Sequence, residues 1–115
     1  MQRFVILHHQ KSVVDESHWD VMLETDGVLR TWALVPPYDS RQPTQPFSVS
    51  AKRLPDHRLA YLDYEGDISG GRGTVKRIDT GTYTIVGGNT FQIEGTLFHG
   101  TLTLPEHEGT ATFNV

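Results

Sequence analysis

Cysteine is absent from the 115 residues. That removes disulfides, thiolate metal sites and cysteine nucleophiles together, and leaves His, Asp and Glu as the available ligand set. No apolar run comes near the roughly 20 residues that span a bilayer, and the N-terminus lacks the charged, apolar and small-residue regions of a signal peptide. A soluble, cytoplasmic protein with no membrane partner is expected. The 3.6-residue periodicity of a long amphipathic helix is missing, as are internal repeats and low-complexity tracts. Lys and Arg are absent from residues 78–115, whereas residues 52–77 hold Lys52, Arg53, Arg58, Arg72, Lys76 and Arg77 against Asp56, Asp63, Glu65 and Asp67. The net charge of −4 argues against nonspecific nucleic-acid binding, which depends on counterion release by cations. One basic segment in an acidic chain can still meet a phosphate backbone locally.

What remains is a β pattern. The length suits one hydrophobic core, so residues 1–115 read as a single domain. Runs of β-branched and aromatic residues recur between Gly, Pro, Asn and Asp clusters, as in an all-β sandwich or barrel that is mostly antiparallel with little helix. The expected strands are 3–9, 18–24, 28–35, 47–50, 59–64, 73–78, 81–86, 90–97, 101–104 and 110–115. Thr25-Asp26-Gly27 and Val86-Gly87-Gly88-Asn89 read as hairpin turns, because Gly and Asn tolerate positive φ. Pro36, Pro37, Pro43 and Pro46 mark the longest loop. A short helical turn is expected near residues 52–57.

The segment HHQKSVVDESHWDVMLE, residues 8–24, holds three of the six histidines. In an extended strand His18, Asp20, Met22 and Glu24 share one face, while Trp19, Val21 and Leu23 share the other, apolar one. His18 and Asp20 are close enough to converge on one ion, and His9 can supply a third ligand from the preceding strand. Two neutral imidazoles and one carboxylate suit Mn, Zn or Fe and leave positions open for water or a substrate oxygen. The bland alternative is an ordinary wet strand face, on which His-x-Asp is common. His8 and His9 point to opposite faces, so only one of them can join such a site. His99 and His107 read as surface residues.

Two further places carry potential chemistry. Arg53, His57 and Tyr61 lie four residues apart around a turn and offer a guanidinium, an acid, base or phosphate donor, and a phenol. A solvated loop with Tyr61 anchoring a strand is the plainer alternative. The glycine-rich GDISGGRG, residues 66–73, offers backbone N–H groups and Arg72 to an anion. It lacks the terminal Gly-Lys-Ser/Thr of a Walker A motif and also reads as a plain β turn.

Taken in order, RFVILHH, HWDVMLE, GVLRTWALVPP, AKRLPDHRLAYLDYEGDISGGRGTVKRIDTGTY and EGTLFHGTLTL resemble the 3′-phosphoesterase domain of bacterial DNA ligase D and its stand-alone relatives. The ordered set His-Trp-Asp, Leu-x-x-Trp-Ala, Asp-His-x-Leu-x-Tyr and Tyr-Glu-Gly-x-Ile is more specific than any one member. The resemblance implies a compact β-barrel with a manganese-dependent activity on nucleic-acid 3′ ends. That activity removes a terminal ribonucleotide and then the 3′-phosphate, in DNA repair by end joining. It implies His9, His18 and Asp20 as ligands of Mn²⁺, with Zn²⁺ or another divalent transition metal able to take the same set. It further implies His57 and Tyr61 at the scissile phosphate, with Arg53 as a catalytic and phosphate-binding guanidinium. Arg72 is a second candidate for phosphate. The partners implied are nucleic-acid 3′ ends and separate ligase, polymerase or end-binding proteins.

The chain departs from that pattern in places. Ligase-fused members read His-Tyr-Asp-Phe-Arg-Leu-Glu, with an arginine where Met22 stands here, and methionine neither carries charge nor donates to an oxyanion. The spacing between the metal-binding histidines is longer, Leu7 stands where a glutamine is common, and the N-terminal arm of fused members is not expected. An alternative reading therefore keeps the barrel and the metal as a nucleic-acid-end or ligand-binding module without turnover.

Overall fold

The computed structural model describes residues 2–11, 17–35, 46–68 and 71–115. Among the described residues nine strands run in chain order: β1 Gln2–Gln10, β2 His18–Thr25, β3 Val28–Leu34, β4 Phe47–His57, β5 Gly66–Asp67, β6 Thr74–Gly87, β7 Thr90–Gly95, β8 His99–Thr103 and β9 Glu108–Asn114. Eight of them pair antiparallel in the order β1-β2-β3-β4-β9-β8-β7-β6, and β1 pairs with β6 to close a barrel. Closure leaves no long free edge. The short β5 is appended to the start of β6. The barrel expected from the resemblance is thus the observed fold. Among the described residues no helix is long and apolar enough to cross a membrane.

Local chemistry explains the elements and the departures from expectation. Asp26 and Gly27, at φ 51° and 84°, turn β2 into β3 with Thr25 opposite Val28, the geometry of a two-residue hairpin. The separate strands expected at 73–78 and 81–86 are one strand of 14 residues, β6. Its residues 74–83 run along β1 and its residues 81–87 along β7, with 81–83 paired on both sides. Gly81 does not break it, because a Cβ there would strike the Glu94 carbonyl and glycine allows the close approach. Residues 52–57, expected to hold a helical turn, belong to β4. The turn lies at Leu59–Leu62, a single turn of 3-10 helix where a strand was expected. Residues 36–45 of the expected proline loop lie outside the described residues.

Alternation divides the apolar side chains into two clusters. Phe4, Ile6, Trp19, Val21, Trp32, Phe91, Phe98, Phe113 and their neighbours fill the barrel interior, and the indole N–H of buried Trp32 donates to the Pro105 carbonyl at 2.8 Å. Val5, Leu7, Met22, Leu29 and Val75 face outwards and are covered by Leu62, with Tyr61 and Ile68 packed against them. Covering this outer layer is the task of the 3-10 turn. One carboxylate organises the far end of the barrel: buried Asp79 accepts backbone N–H bonds from Thr80, Thr96, Leu97 and Phe98 at 2.8–3.1 Å. Four charge-assisted bonds are sufficient to hold an ionised carboxylate away from water.

Candidate metal centre

The outer apolar layer forms the floor of a cleft. In the β1–β2 ladder His9 stands opposite His18, Leu7 opposite Asp20 and Val5 opposite Met22, so both imidazoles and the carboxylate share one face. His9 Nδ1 lies 3.6 Å from Asp20 Oδ2, and His18 Nε2 lies 2.9 Å from Asp20 Oδ1. The imidazole rings meet edge to face, 4.9 Å between centroids. His8 is excluded from this group. It stands opposite Trp19 and Lys76 on the other face of β1, and burial, with the neighbouring His18 and His9, pushes its imidazole below the usual value.

The tautomer of His9 is set by its neighbour. His9 Nε2 lies 2.7 Å from the carbonyl oxygen of Arg72; a carbonyl only accepts, so Nε2 carries a proton and Nδ1 is the nitrogen that faces Asp20. Imidazoles that ligate metals are commonly oriented this way, by a backbone carbonyl on the far nitrogen. The glycine-rich segment supplies that carbonyl because Gly73, at φ 98°, packs against Gln10, where a Cβ would collide with the backbone. The segment thus serves the site with an acceptor, where the sequence suggests N–H donors.

Asp20 is 2% exposed, and its Oδ1 accepts no hydrogen bond despite the nearby His18 nitrogen. The pair has a hydrogen bond's distance without its alignment. Burial opposes the charge on Asp20, but the adjoining His18 and His9 outweigh it and hold the carboxyl below its usual range. An orphaned carboxylate oxygen on an apolar floor is costly, by about 1–3 kcal/mol or more, and a cation beside it would remove that cost. The three donor atoms lie within 4.8 Å of one another. Atoms sharing one ion at about 2.0–2.2 Å are at most roughly 4.4 Å apart, so the set is within a few tenths of an ångström of that limit. The residues therefore fit a divalent transition metal of the kind that takes nitrogen and oxygen donors.

The cleft beside the cluster has a volume of about 250 Å³ and is lined by His9, Asp20, Met22, Asp56, His57, Arg58, Tyr61, Ile68, Arg72 and Val75. It gathers most of the residues selected from the sequence. His57 Nδ1 donates to the Pro55 carbonyl at 2.9 Å, which leaves Nε2 as the ring atom able to exchange a proton. The His57 and Tyr61 rings meet edge to face, 5.8 Å apart. Arg72 lines the same cleft.

Arg53 is not brought there. Its guanidinium lies 4.6 Å above the Trp32 ring and 3.1 Å from Asp56. The cause is a β-bulge in β4: Leu54 pairs with Thr31 and His57 with Leu29, so Pro55 and Asp56 stand opposite the single residue Arg30. Four residues apart on a regular strand, Arg53 and His57 would share a face; the extra residue reverses the alternation and sends His57 outwards while Arg53 stays over the core. Sequence reasoning also missed Arg58, which follows His57 and lines the cleft. Its place in the basic segment was the available signal.

No curated protein matches the chain. The family model of the DNA ligase D 3′-phosphoesterase domain matches residues 7–110, nearly the whole barrel and every residue of the cleft. The match and the cleft concern the same residues, and the chain belongs to the DNA ligase D 3′-phosphoesterase domain family.

Proposed function

We propose that this protein is a divalent-cation-dependent hydrolase of phosphoesters at nucleic-acid 3′ ends, releasing a terminal ribonucleotide or phosphate so that the end can be joined. The observation that carries this reading is that His9 and Asp20, which cluster with His18, line one cleft with His57 and Tyr61 in a chain of this family. His9 Nδ1, His18 Nε2 and Asp20 would hold the ion, Mn²⁺ being the preferred candidate and Zn²⁺ the next. A divalent cation there supplies positive charge to a phosphoryl oxygen and acidifies water.

The chain's own groups do the rest. Arg72 draws the phosphate into the cleft, and the Tyr61 hydroxyl donates to one of its oxygens. In hydrolysis a bond forms between water oxygen and phosphorus while the bond to the leaving oxygen breaks. The attacking water loses a proton to solvent and the leaving oxygen takes one from His57 Nε2, whose ring is held by the bond from Nδ1 to Pro55. Leu7, Met22 and Val75 exclude water beneath the reacting atoms, which strengthens every charge interaction above them.

The test is a labelled DNA primer ending in one ribonucleotide or in a 3′-phosphate, incubated with and without Mn²⁺. Metal-dependent shortening or phosphate release is expected, and loss of both in His18→Ala and Asp20→Ala. Undiminished turnover in either variant would sink the assignment. Met22 favours a second reading, because it places an apolar side chain, 1% exposed, where fused relatives carry a cation. Under that reading the protein grips strand ends without cleaving them, and the same assay returns binding without product.

A further inference from the structure

A second cleft of about 220 Å³ adjoins the first, lined by Arg58, Ala60, Tyr61, Tyr64, Asp67, Ile68 and Arg72. The two share Arg58, Tyr61, Ile68 and Arg72, so they form one trough that leads away from the metal cluster. We propose that Arg58 and Tyr64 make a nucleotide subsite in this trough, which takes the residue next to the reacting 3′ terminus, and that Arg58 supplies the guanidinium that Met22 does not. This rests on reading the neighbouring cluster as a phosphoester site.

Four features support the assignment. Arg58 sits where β4 ends, in an extended conformation at φ −75° and ψ 146°, and reaches both clefts. Among the described residues it forms no ion pair, whereas Arg3 pairs with Asp63 and Arg53 with Asp56. The Arg53 pairing also engages Asp56, the carboxylate nearest in sequence to Arg58, so that its charge does not oppose an incoming phosphate. Tyr64 is already oriented: its hydroxyl donates to the Asp67 carbonyl, and its ring meets Tyr61 edge to face at 6.0 Å. It nevertheless remains 40% exposed, with a face to offer.

The chemistry selects a single-stranded nucleotide over a bare anion. A phosphate needs only the guanidinium, but an exposed, pre-oriented aromatic ring beside an apolar Ile68 serves a planar base. Cations that track the backbone alternating with rings that accept any base is how single strands are held without regard to sequence. Arg58 and Ile68 line both clefts, whereas Asp20 lines only the first and Tyr64 only the second. The terminal phosphoester can therefore reach the metal cluster while its neighbouring base rests against Tyr64.

The 3′-hydroxyl product strand, which cannot be turned over, is the probe. Its affinity is measured by fluorescence anisotropy with a 5′ label, beside kcat and KM for the 3′-phosphorylated primer, in the full chain. Arg58→Ala is expected to weaken product binding and raise KM by about tenfold. Tyr64→Ala weakens binding by roughly 5- to 100-fold, the range for loss of one stacked base, while Tyr64→Phe keeps most of the affinity. A strand lacking the base next to its 3′ terminus binds the native protein as weakly as Tyr64→Ala binds the complete strand, and shows no further loss with Tyr64→Ala. Lys76→Ala, which removes a charge outside both clefts, changes neither constant. Unchanged binding in both Arg58→Ala and Tyr64→Ala overturns the subsite. An effect of Arg58→Ala alone, matched by weaker competition from inorganic phosphate, overturns the nucleotide and leaves an anion site. If the native protein neither cleaves nor binds strand ends, the phosphoester reading fails first and takes the subsite with it.

Discussion

Replacing Asp20 by Asn tests the metal centre through stability alone, without an assay for turnover. The amide is nearly isosteric, so cavity and packing terms stay out of the comparison. In metal-free protein two effects oppose. The substitution removes a buried carboxylate whose Oδ1 has no hydrogen-bond partner, and it also removes the interactions with His18 and His9 that hold the carboxyl below its usual range. The net change should be within about 1 kcal/mol, as for other substitutions whose losses and gains offset. With metal the balance is different. A ligand at 100 times its Kd stabilises the folded state by about 2.7 kcal/mol. For 115 residues the unfolding entropy is roughly 0.24 kcal/mol/K, so native protein should melt about 11 °C higher with metal than in EDTA. Asp20→Asn should lose most of that gain, as should His9→Ala and His18→Ala. His99→Ala, in the exposed pair with Glu94, should keep it. The measurement is calorimetry or dye-monitored melting with Mn²⁺ and Zn²⁺ in turn. A full metal-induced shift in Asp20→Asn would mean that the ion binds elsewhere, and the site assignment would be wrong.

Other outcomes follow from the same structure. Arg53→Ala should lower stability by about 0.5–2 kcal/mol through loss of its contact with Trp32, with KM for a 3′-phosphorylated primer unchanged; a tenfold rise in KM would return Arg53 to the cleft. Gly95→Ala places a Cβ on Asp79 Oδ2 and should cost about 1–3 kcal/mol as an overpacked site, read from the urea midpoint. The His8 imidazole is pushed below the ordinary value of 6.5, so the unfolded chain binds more protons just below that pH and stability falls with it. Melting in EDTA should therefore drop as pH is lowered through about 6.5 toward the folded-state value, and His8→Gln should flatten the slope in that window. A slope unchanged by His8→Gln would locate the titration in another group.

The sequence revealed the barrel wherever alternation was unbroken. β1, β2 and β3 differ from expectation by one residue at each end or less, because each is a run of apolar and β-branched residues, and the β2–β3 hairpin is fixed by the turn at Asp26 and Gly27. Glycine was misread in β6. Gly81 reads as a boundary, but it is the point where β6, still paired with β1, takes up β7 on its other side and the backbones come too close for a Cβ. Leu59–Leu62 reads as a strand because its residues are apolar, yet only Leu62 is buried, over Val5, Leu7 and Met22 with Tyr61 packed beside it, a contact between segments distant in sequence. Asp79 carried no local signal, since its four donors come from the following residue and from a loop 17 to 19 positions away.

The candidate site divides along the same line. His9, His18 and Asp20 could be placed together because two regular strands carry them, and the β1–β2 register brings the parity of each residue into agreement. Arg53 could not be placed, because a one-residue bulge at Pro55 and Asp56 is invisible to a period-two pattern and reverses everything beyond it. The same bulge that withdraws Arg53 turns the end of β4 so that His57 and Arg58 both reach the cleft. Which arginine of this segment lines the cleft is thus a consequence of backbone geometry. Combining Arg58→Ala with Met22→Arg tests the separate proposal that Arg58 supplies the cation absent at position 22: if it does, the second substitution should recover at least part of the lost affinity for a 3′-phosphorylated strand. Burying an arginine on the floor made by Val5, Leu7 and Val75 is costly unless a phosphate accompanies it. The recovery should therefore come with a lower melting temperature in ligand-free protein and a larger gain on adding the strand than the native protein shows. Folded double variant with no recovered affinity would mean that the two positions are not interchangeable, and that Arg58 acts on the neighbouring nucleotide alone.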